Sequence, residues 1–232
     1  MSGTEYHKIN TIFKRDEKTG ALLSGQFSCP EFEYLRYNKW LFSEKIDGTN
    51  IRLVWDGSTL SFGGKTDAAQ IPVFLVEKLK TLFPAEKFVA QFGPTPAVLY
   101  GEGYGAKIQK GGGNYIPNGV DFILFDVRIK GWWLRRGDVA EIAEKIGTQR
   151  APEIGSGTLE DALDMAESGF RSKFGDFIAE GLVLRPEVEL QTRSGERVIT
   201  KIKCRDFRLS PLPRVGGVRV PIPCDVDGVP AS

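Results

Sequence analysis

Histidine is nearly missing from this 232-residue chain, with His7 the single example. That scarcity excludes multi-histidine metal sites and argues against imidazole acid–base chemistry. Cysteine is scarce too: Cys29, Cys204 and Cys224 are odd in number and form no Cys-x-x-Cys pair, so neither a disulfide scaffold nor a zinc knuckle is indicated. They read as free thiols of a reducing compartment. No run of about 18 apolar residues occurs, and Met1 to Asn10 lack an apolar signal core, so neither a membrane span nor a leader is expected. A cytoplasmic location is the expectation. Charge of one sign is not in excess either: 31 Lys+Arg face 30 Asp+Glu, a net of +1, so charge-driven binding must come from a local patch. Chemistry is left to Lys, Asp, Glu, Arg or Cys.

Turn signals are plentiful, at Asp47-Gly48, Asp56-Gly57, Gly63-Gly64, Gly111 to Gly113, Asn118-Gly119 and Lys130-Gly131, separated by short β-branched and aromatic segments. Alternation from Trp40 places Trp40, Phe42, Glu44 and Ile46 on one face of a strand and Leu41, Ser43, Lys45 and Asp47 on the other. Ile51 to Trp55, the Asp56-Gly57 turn and Leu60 to Phe62 predict a hairpin. Further strands are predicted over Val98 to Glu102, Phe122 to Ile129, Trp132 to Leu134, Glu180 to Leu184 and Val198 to Lys203. Helices interrupt them: one starts near Pro72, one is capped by Asp138 and runs to Ile146, and one is capped by Thr158 and ends before Gly169. The mixed order predicts an α+β fold in one domain. Five prolines after Leu209 predict a tail without a regular core element.

Several segments carry chemistry-bearing residues. Glu44-Lys45-Ile46-Asp47-Gly48-Thr49-Asn50 puts a lysine at the end of an apolar strand beside an Asp-Gly turn. Alone, Lys-x-Asp-Gly is a weak signal that reads as a solvated hairpin turn, and only the rest of the chain lifts it toward an activated lysine. A lysine nucleophile must attack uncharged, near other cations and away from free water, and Lys65, Lys201 and Lys203 are the candidate neighbours. Glu102, in Tyr100-Gly101-Glu102-Gly103-Tyr104-Gly105-Ala106-Lys107-Ile108-Gln109-Lys110, is a surface glutamate or a ligand to hydroxyls. Phe125, in Asp121 to Asp126, is core packing or a stacking platform. Lys201 and Lys203 share one strand face by period-2 alternation, as a basic edge or as phosphate ligands. From Arg193 to Arg219, Arg193, Arg197, Lys201, Lys203, Arg205, Arg208, Arg214 and Arg219 are opposed only by Glu196 and Asp206. This excess makes either a solvated basic face or a phosphate-backbone surface.

From Trp40 to Lys203 these motifs, in this order, resemble the covalent nucleotidyltransferases, and within them the RNA ligase 2 family of RNA repair and editing enzymes. The fold this implies is the α+β nucleotidyltransferase (ATP-grasp-like) adenylation domain, antiparallel sheets with flanking helices. The resemblance implies an ATP-dependent RNA ligase with Lys45 attacking the α-phosphate of ATP. It implies nucleotide contacts by Glu44, Lys65, Glu102 at the ribose, Phe125 at adenine, and Lys201 and Lys203 at the AMP phosphate. By the same resemblance Glu180, in Ala179-Glu180-Gly181-Leu182-Val183-Leu184-Arg185, contacts the catalytic metal, Mg²⁺ with Mn²⁺ as an alternative. Catalysis then falls to Lys45, Glu180, Lys201 and Lys203. RNA ends in a nicked duplex are the implied partner, met by Arg193, Arg197, Arg205 and Arg208.

The pattern departs from that family in three places. Asp47 stands where histidine is common, which leaves DNA ends as an alternative substrate, and Lys65 stands where arginine is common. Only 29 residues follow Lys203. The expectation is a catalytic core over 1–209 and a Pro-rich tail over 210–232, with no separate OB or helical C-terminal domain. Alternatives to an RNA ligase are then a DNA ligase adenylation domain, or a non-sealing end-binding module whose missing domain comes from a partner protein.

Overall fold

The computed structural model describes residues 5–208 and, beyond them, the backbone of 214–215 and 218–219. In chain order the strands are β1 (Asn10–Thr11), β2 (Phe13–Arg15), β3 (Leu22–Phe27), β4 (Trp40–Lys45), β5 (Thr49–Trp55), β6 (Leu60–Gly63), β7 (Ala97–Gly105), β8 (Val120–Ile129), β9 (Trp132–Trp133), β10 (Gln149–Arg150), β11 (Glu153–Gly157), β12 (Gly181–Pro186), β13 (Thr200–Lys203), β14 (Arg214–Val215) and β15 (Val218–Arg219). The helices are α1 (Pro30–Tyr34), α2 (Val73–Leu82), α3 (Ala85–Phe92), α4 (Gly112–Tyr115), α5 (Arg136–Ile146), α6 (Leu159–Ser168) and α7 (Arg205–Arg208). Apart from the pairing of β14 with β15, the Pro-rich tail over 210–232 lies outside the described residues. No helix among the described residues is long and apolar enough to cross a membrane.

The elements group into two compact units whose segments alternate along the chain. The first contains residues 5–8, Ile46–Pro152 and Lys173–Phe177. Its sheet runs β10-β8-β7-β5-β6, with β9 added beside β8. Ile51, Leu53, Trp55, Leu99, Phe122 and Leu124 bury one face against α2, α3 and α5, so alternate residues of β5 and β7 are left for the opposite face. The indole of Trp55 is fully inside, and its N–H donates to the Gly93 carbonyl at 2.8 Å, which satisfies its polar end. In β8 the buried positions switch from Phe122 and Leu124 to Val127. A register shift causes the switch: Tyr100 pairs with Asp126 and Gly101 with Leu124, leaving Phe125 as the extra residue of a β-bulge.

The second unit contains Ile9–Lys45, Glu153–Ser172 and the described residues from Ile178 onward. Its sheet runs β1-β13-β12-β4-β11. Trp40, Phe42, Leu182, Leu184 and Ile202 bury one face with Leu159, Leu163 and Ala166 of α6. The opposite face carries the lysines.

The β5–β6 hairpin, β7, β8, the turn into β9, β12 and β13 lie where alternation and turn residues predict them, with ends shifted by a few residues. Thr158 caps α6 in a capping box with Asp161, and Gly147 ends α5 in the left-handed conformation. Asp138 is not the cap of α5: the helix starts at Arg136 with Arg135 at the N-cap, so Asp138 lies in the first turn, where its charge suits the helix dipole. Helices α1, α3, α4 and α7 and strands β1, β2, β3, β10 and β11 were not expected. Strands β1, β10 and β11 are two to five residues long and exist through pairing with distant partners, β1 with β13, β10 with β8 and β11 with β4. In α3, Phe88 and Phe92 at a spacing of four supply the buried face, in a helix too short to declare a period.

Candidate active site

Three adjacent antiparallel strands assemble the lysine face of the second unit. Gly181 of β12 pairs with Lys45 of β4 on one side and with Lys203 of β13 on the other. One residue earlier, Glu180 reaches both neighbours: Oε2 lies 2.6 Å from the Lys45 ammonium and Oε1 2.9 Å from that of Lys203. One carboxylate thus bridges two cations, with the lysine side chains 20 % exposed and the glutamate 11 %. At that burial a charge-assisted pair is stronger than on an open surface. Glycine at 181 is required by close approach, because a Cβ there would meet the Ile202 carbonyl oxygen at 2.0 Å. Lys201 follows on the same face of β13, opposite Val183. Glu44 is not on this face. Strand alternation turns its side chain to the other side, where it is 2 % exposed and accepts the Ser172 hydroxyl at 2.5 Å.

In the first unit, the residues after Lys45 are tied to the glycine-rich segment of β7. Gly48 lies so near β7 that a Cβ would meet the Gly103 carbonyl oxygen at 2.3 Å and the Glu102 Cγ at 2.7 Å. The Gln109 amide donates to the Gly48 carbonyl at 3.1 Å, and the Asp47 amide N–H donates to the Tyr115 hydroxyl at 3.2 Å. Glu102, paired with Asn50 and Ile123, projects from the face opposite the Leu99 core, as do Tyr100 and Tyr104. Burial and the nearby Asp121 charge push the Tyr104 phenol up to about 12, so it stays a neutral hydroxyl.

Phe125 is half-buried at its bulge, with its carbonyl held by Arg136 Nη1 at 2.7 Å. The Tyr6 ring meets it edge-on at 5.1 Å between centroids, while the Tyr6 hydroxyl donates to the fully buried Asp126 carboxylate at 2.5 Å. Lys65 is exposed just after β6. Beside it, the buried Arg52 donates from Nε to the Gly64 carbonyl at 2.7 Å and pairs with Asp67 at 2.9 Å.

Residues 38–203 match the family model described as RNA ligase. The chain belongs to the RNA ligase family. Solved RNA ligases from Naegleria gruberi have the same fold. A variant determined with ATP and manganese is 19% identical, with a TM-score of 0.61 over 77% of this chain and 52% of that one. An apo variant gives 16% identity and a TM-score of 0.65 over 89% and 58%. The enzyme with pyrophosphate gives 18% and 0.62 over 90% and 63%. This chain therefore spans about half to three-fifths of the length of those ligases. No curated protein sequence matches it. The α+β arrangement of antiparallel sheets with flanking helices is the one expected of this family.

The four arginines of the predicted nucleic-acid surface are placed differently. Arg193 and Arg205 are exposed. Arg197 is buried, with its guanidinium on Glu189, so it does not belong to an open surface. The Arg208 side chain lies outside the described residues. Among the described residues no three His, Cys, Asp or Glu side chains gather as a metal cage. Sequence reading missed Tyr6, Arg52 and Asp126. An aspartate inside the apolar run of β8 was the available signal, since a buried carboxylate demands a donor. Its donor, Tyr6, lies 120 positions away and carries no local mark.

Proposed function

We propose that this member of the RNA ligase family is an ATP-dependent RNA ligase with Lys45 as its nucleophile. The observation that carries the reading is the Lys45–Glu180–Lys203 bridge. The Lys45 amine forms a bond to the α-phosphorus of ATP while the bond to pyrophosphate breaks, giving lysyl-AMP. The proton leaving that amine has the Glu180 carboxylate within hydrogen-bond reach. AMP then passes to a 5′-phosphate, and a 3′-hydroxyl displaces it to seal the strand. Lys203 and Lys201 neutralise charge on the transferring phosphoryl group. Glu102 accepts the ribose hydroxyls, Phe125 stacks on adenine, and Lys65 faces the nucleotide and the incoming end. With its carboxylate buried, Glu44 is left its backbone as a nucleotide contact.

A single carboxylate on a lysine-lined face fits a metal that keeps most of its own waters. Glu180 would hold Mg²⁺, or Mn²⁺, which supplies further neutralisation of phosphoryl charge. RNA ends, above all in a nicked duplex, are the proposed substrate, with Arg193 and Arg205 as backbone contacts. Residues 1–209 form the ligase core, and Cys29 and Cys204, which form no disulfide among the described residues, fit a cytoplasmic location.

The test is incubation with Mg²⁺ and ATP labelled at the α-phosphate, with GTP in parallel, followed by denaturing electrophoresis. Label on the protein with ATP, absent from Lys45→Ala, is the expected result; an adduct on another residue would refute it. Joining of nicked RNA and nicked DNA is then compared. Better joining of DNA would make the chain a DNA ligase. Lysyl-AMP without joining would make it a module that depends on a partner protein.

A further inference from the structure

The first unit contains a cavity of about 710 Å³ between the start of α2 and the turn that precedes β8, within the roughly 300–1,000 Å³ usual for ligand sites. Phe74 and Lys78, four residues apart on one face of α2, form one wall. Lys107, Asn118 and Asp121 are on the other. Phe74 is 43% exposed, a large apolar ring left at the rim of a groove. Among the described residues the side-chain ammonium groups of Lys78 and Lys107 have no hydrogen bond or ion pair, and Asp121 is the single carboxylate lining the cavity. Asp121 already accepts its neighbour's amide, Phe122 N–H, at 2.8 Å. Lys107 has φ of 66°, a left-handed conformation rare for a residue with a side chain, so its ammonium is presented here at a cost in backbone strain.

We propose that this groove binds a single-stranded segment of the polynucleotide on which the ligase acts, with its phosphates on Lys78 and Lys107 and a base on the Phe74 ring. Two ammonium groups outside any ion pair, facing one carboxylate, with an exposed aromatic ring make the combination that holds single strands: charge for the backbone, a π face for a base of any sequence. A small apolar ligand would leave both lysines without a counter-ion, and a duplex would keep its base faces from Phe74. The groove adjoins the nucleotide motifs along the chain. Two residues beyond Lys107, Gln109 holds the Gly48 carbonyl, and Asp121 opens the run of β8 that carries Phe125.

The inference rests on the ligase reading for its ligand but is measured without turnover. The probe is a short fluorescent oligouridylate, titrated against the full chain at several salt concentrations. Lys78→Ala with Lys107→Gly, the latter chosen because glycine relaxes the left-handed position, should make the slope of log K against log salt shallower by about 1.4, or about 0.7 for each phosphate that is no longer neutralised. Phe74→Ala should weaken binding by about tenfold. Both variants should form lysyl-AMP at the parent rate. Unchanged oligouridylate affinity and slope would overturn the groove assignment, as would an equal loss on a blunt duplex. Should the parent fail to form lysyl-AMP, the ligase reading fails while the binding titration still decides the groove. If Phe74→Ala is found unfolded by circular dichroism, the double lysine variant, made at two unbonded side chains, decides by itself.

Discussion

Lys45, Glu180 and Lys203 are separately ordinary residues and become a candidate site because one carboxylate touches two ammonium groups at 2.6 and 2.9 Å. Lys45→Arg should yield no labelled protein, since a guanidinium keeps the charge but cannot give up its proton to become a nucleophile. Glu180→Gln preserves the shape and removes the anion that faces both lysines. It should slow adduct formation by about 100-fold or more, read as initial rates of labelling. At Gly48 the constraint is steric. Gly48→Ala brings a Cβ against the Gly103 carbonyl and Glu102 Cγ, at 2.3 and 2.7 Å before relaxation, so β5 and β7 must move apart. A loss of about 1–3 kcal/mol in urea unfolding is expected, together with weaker use of ATP. Phe125 is a question of ring against bulk. Phe125→Trp should retain labelling and Phe125→Leu should lose most of it; equal activity of the leucine variant would make the residue packing alone.

Among the elements, α6 shows how a local signal survives into the fold. Thr158 accepts the Asp161 amide at 3.1 Å, and Asp161 accepts the Thr158 amide at 2.8 Å, as the Thr-x-x-Asp spacing requires. The Thr158 backbone N–H, and then its hydroxyl, hold the Asp161 carboxyl below its ordinary value. A depressed carboxyl contributes stability that is present above the ordinary value and is lost as pH falls through the lowered one. Thr158→Ala should therefore cost about 1 kcal/mol near neutrality. Asp161→Asn should also be less stable near neutrality, and its deficit should shrink in acid below the ordinary aspartate value; a deficit independent of pH would show the charge to be irrelevant. Such caps, the Asp56-Gly57 hairpin and the β4 alternation were legible because each depends on residues within a few positions. The bulge at Phe125 was not. It is created by the register of β8 against β7, and nothing in Phe122 to Ile129 alone says where the extra residue falls.

For the molecule as a whole, a net charge of +1 means that salt should act on particular ion pairs with the polynucleotide and not on a general field. Joining of a nicked RNA duplex should fall steeply with salt, while lysyl-AMP formation changes less. Arg193→Ala with Arg205→Ala should spare lysyl-AMP and make the salt dependence of nick binding shallower by about 0.7–0.9 for each arginine that had neutralised a phosphate. Equal loss of both steps would mean that these arginines support the fold. The sequence by itself determined the class of the fold, the strands that carry the motifs, the Thr158 start of α6 and the Gly147 end of α5, and the order of motifs that identifies the family, because alternation, turn chemistry and motif spacing are properties of neighbouring residues. It also marked Lys45, Glu180 and Lys203 as residues of interest. Only the tertiary structure decided that Glu180 bridges the two lysines, that Ser172 donates to the Glu44 carboxylate, that Arg197 is buried on Glu189, and that Tyr6 serves Asp126. Each of these depends on strand register or on a partner brought in from elsewhere in the chain, and a one-residue difference in register would turn a side chain to the opposite face.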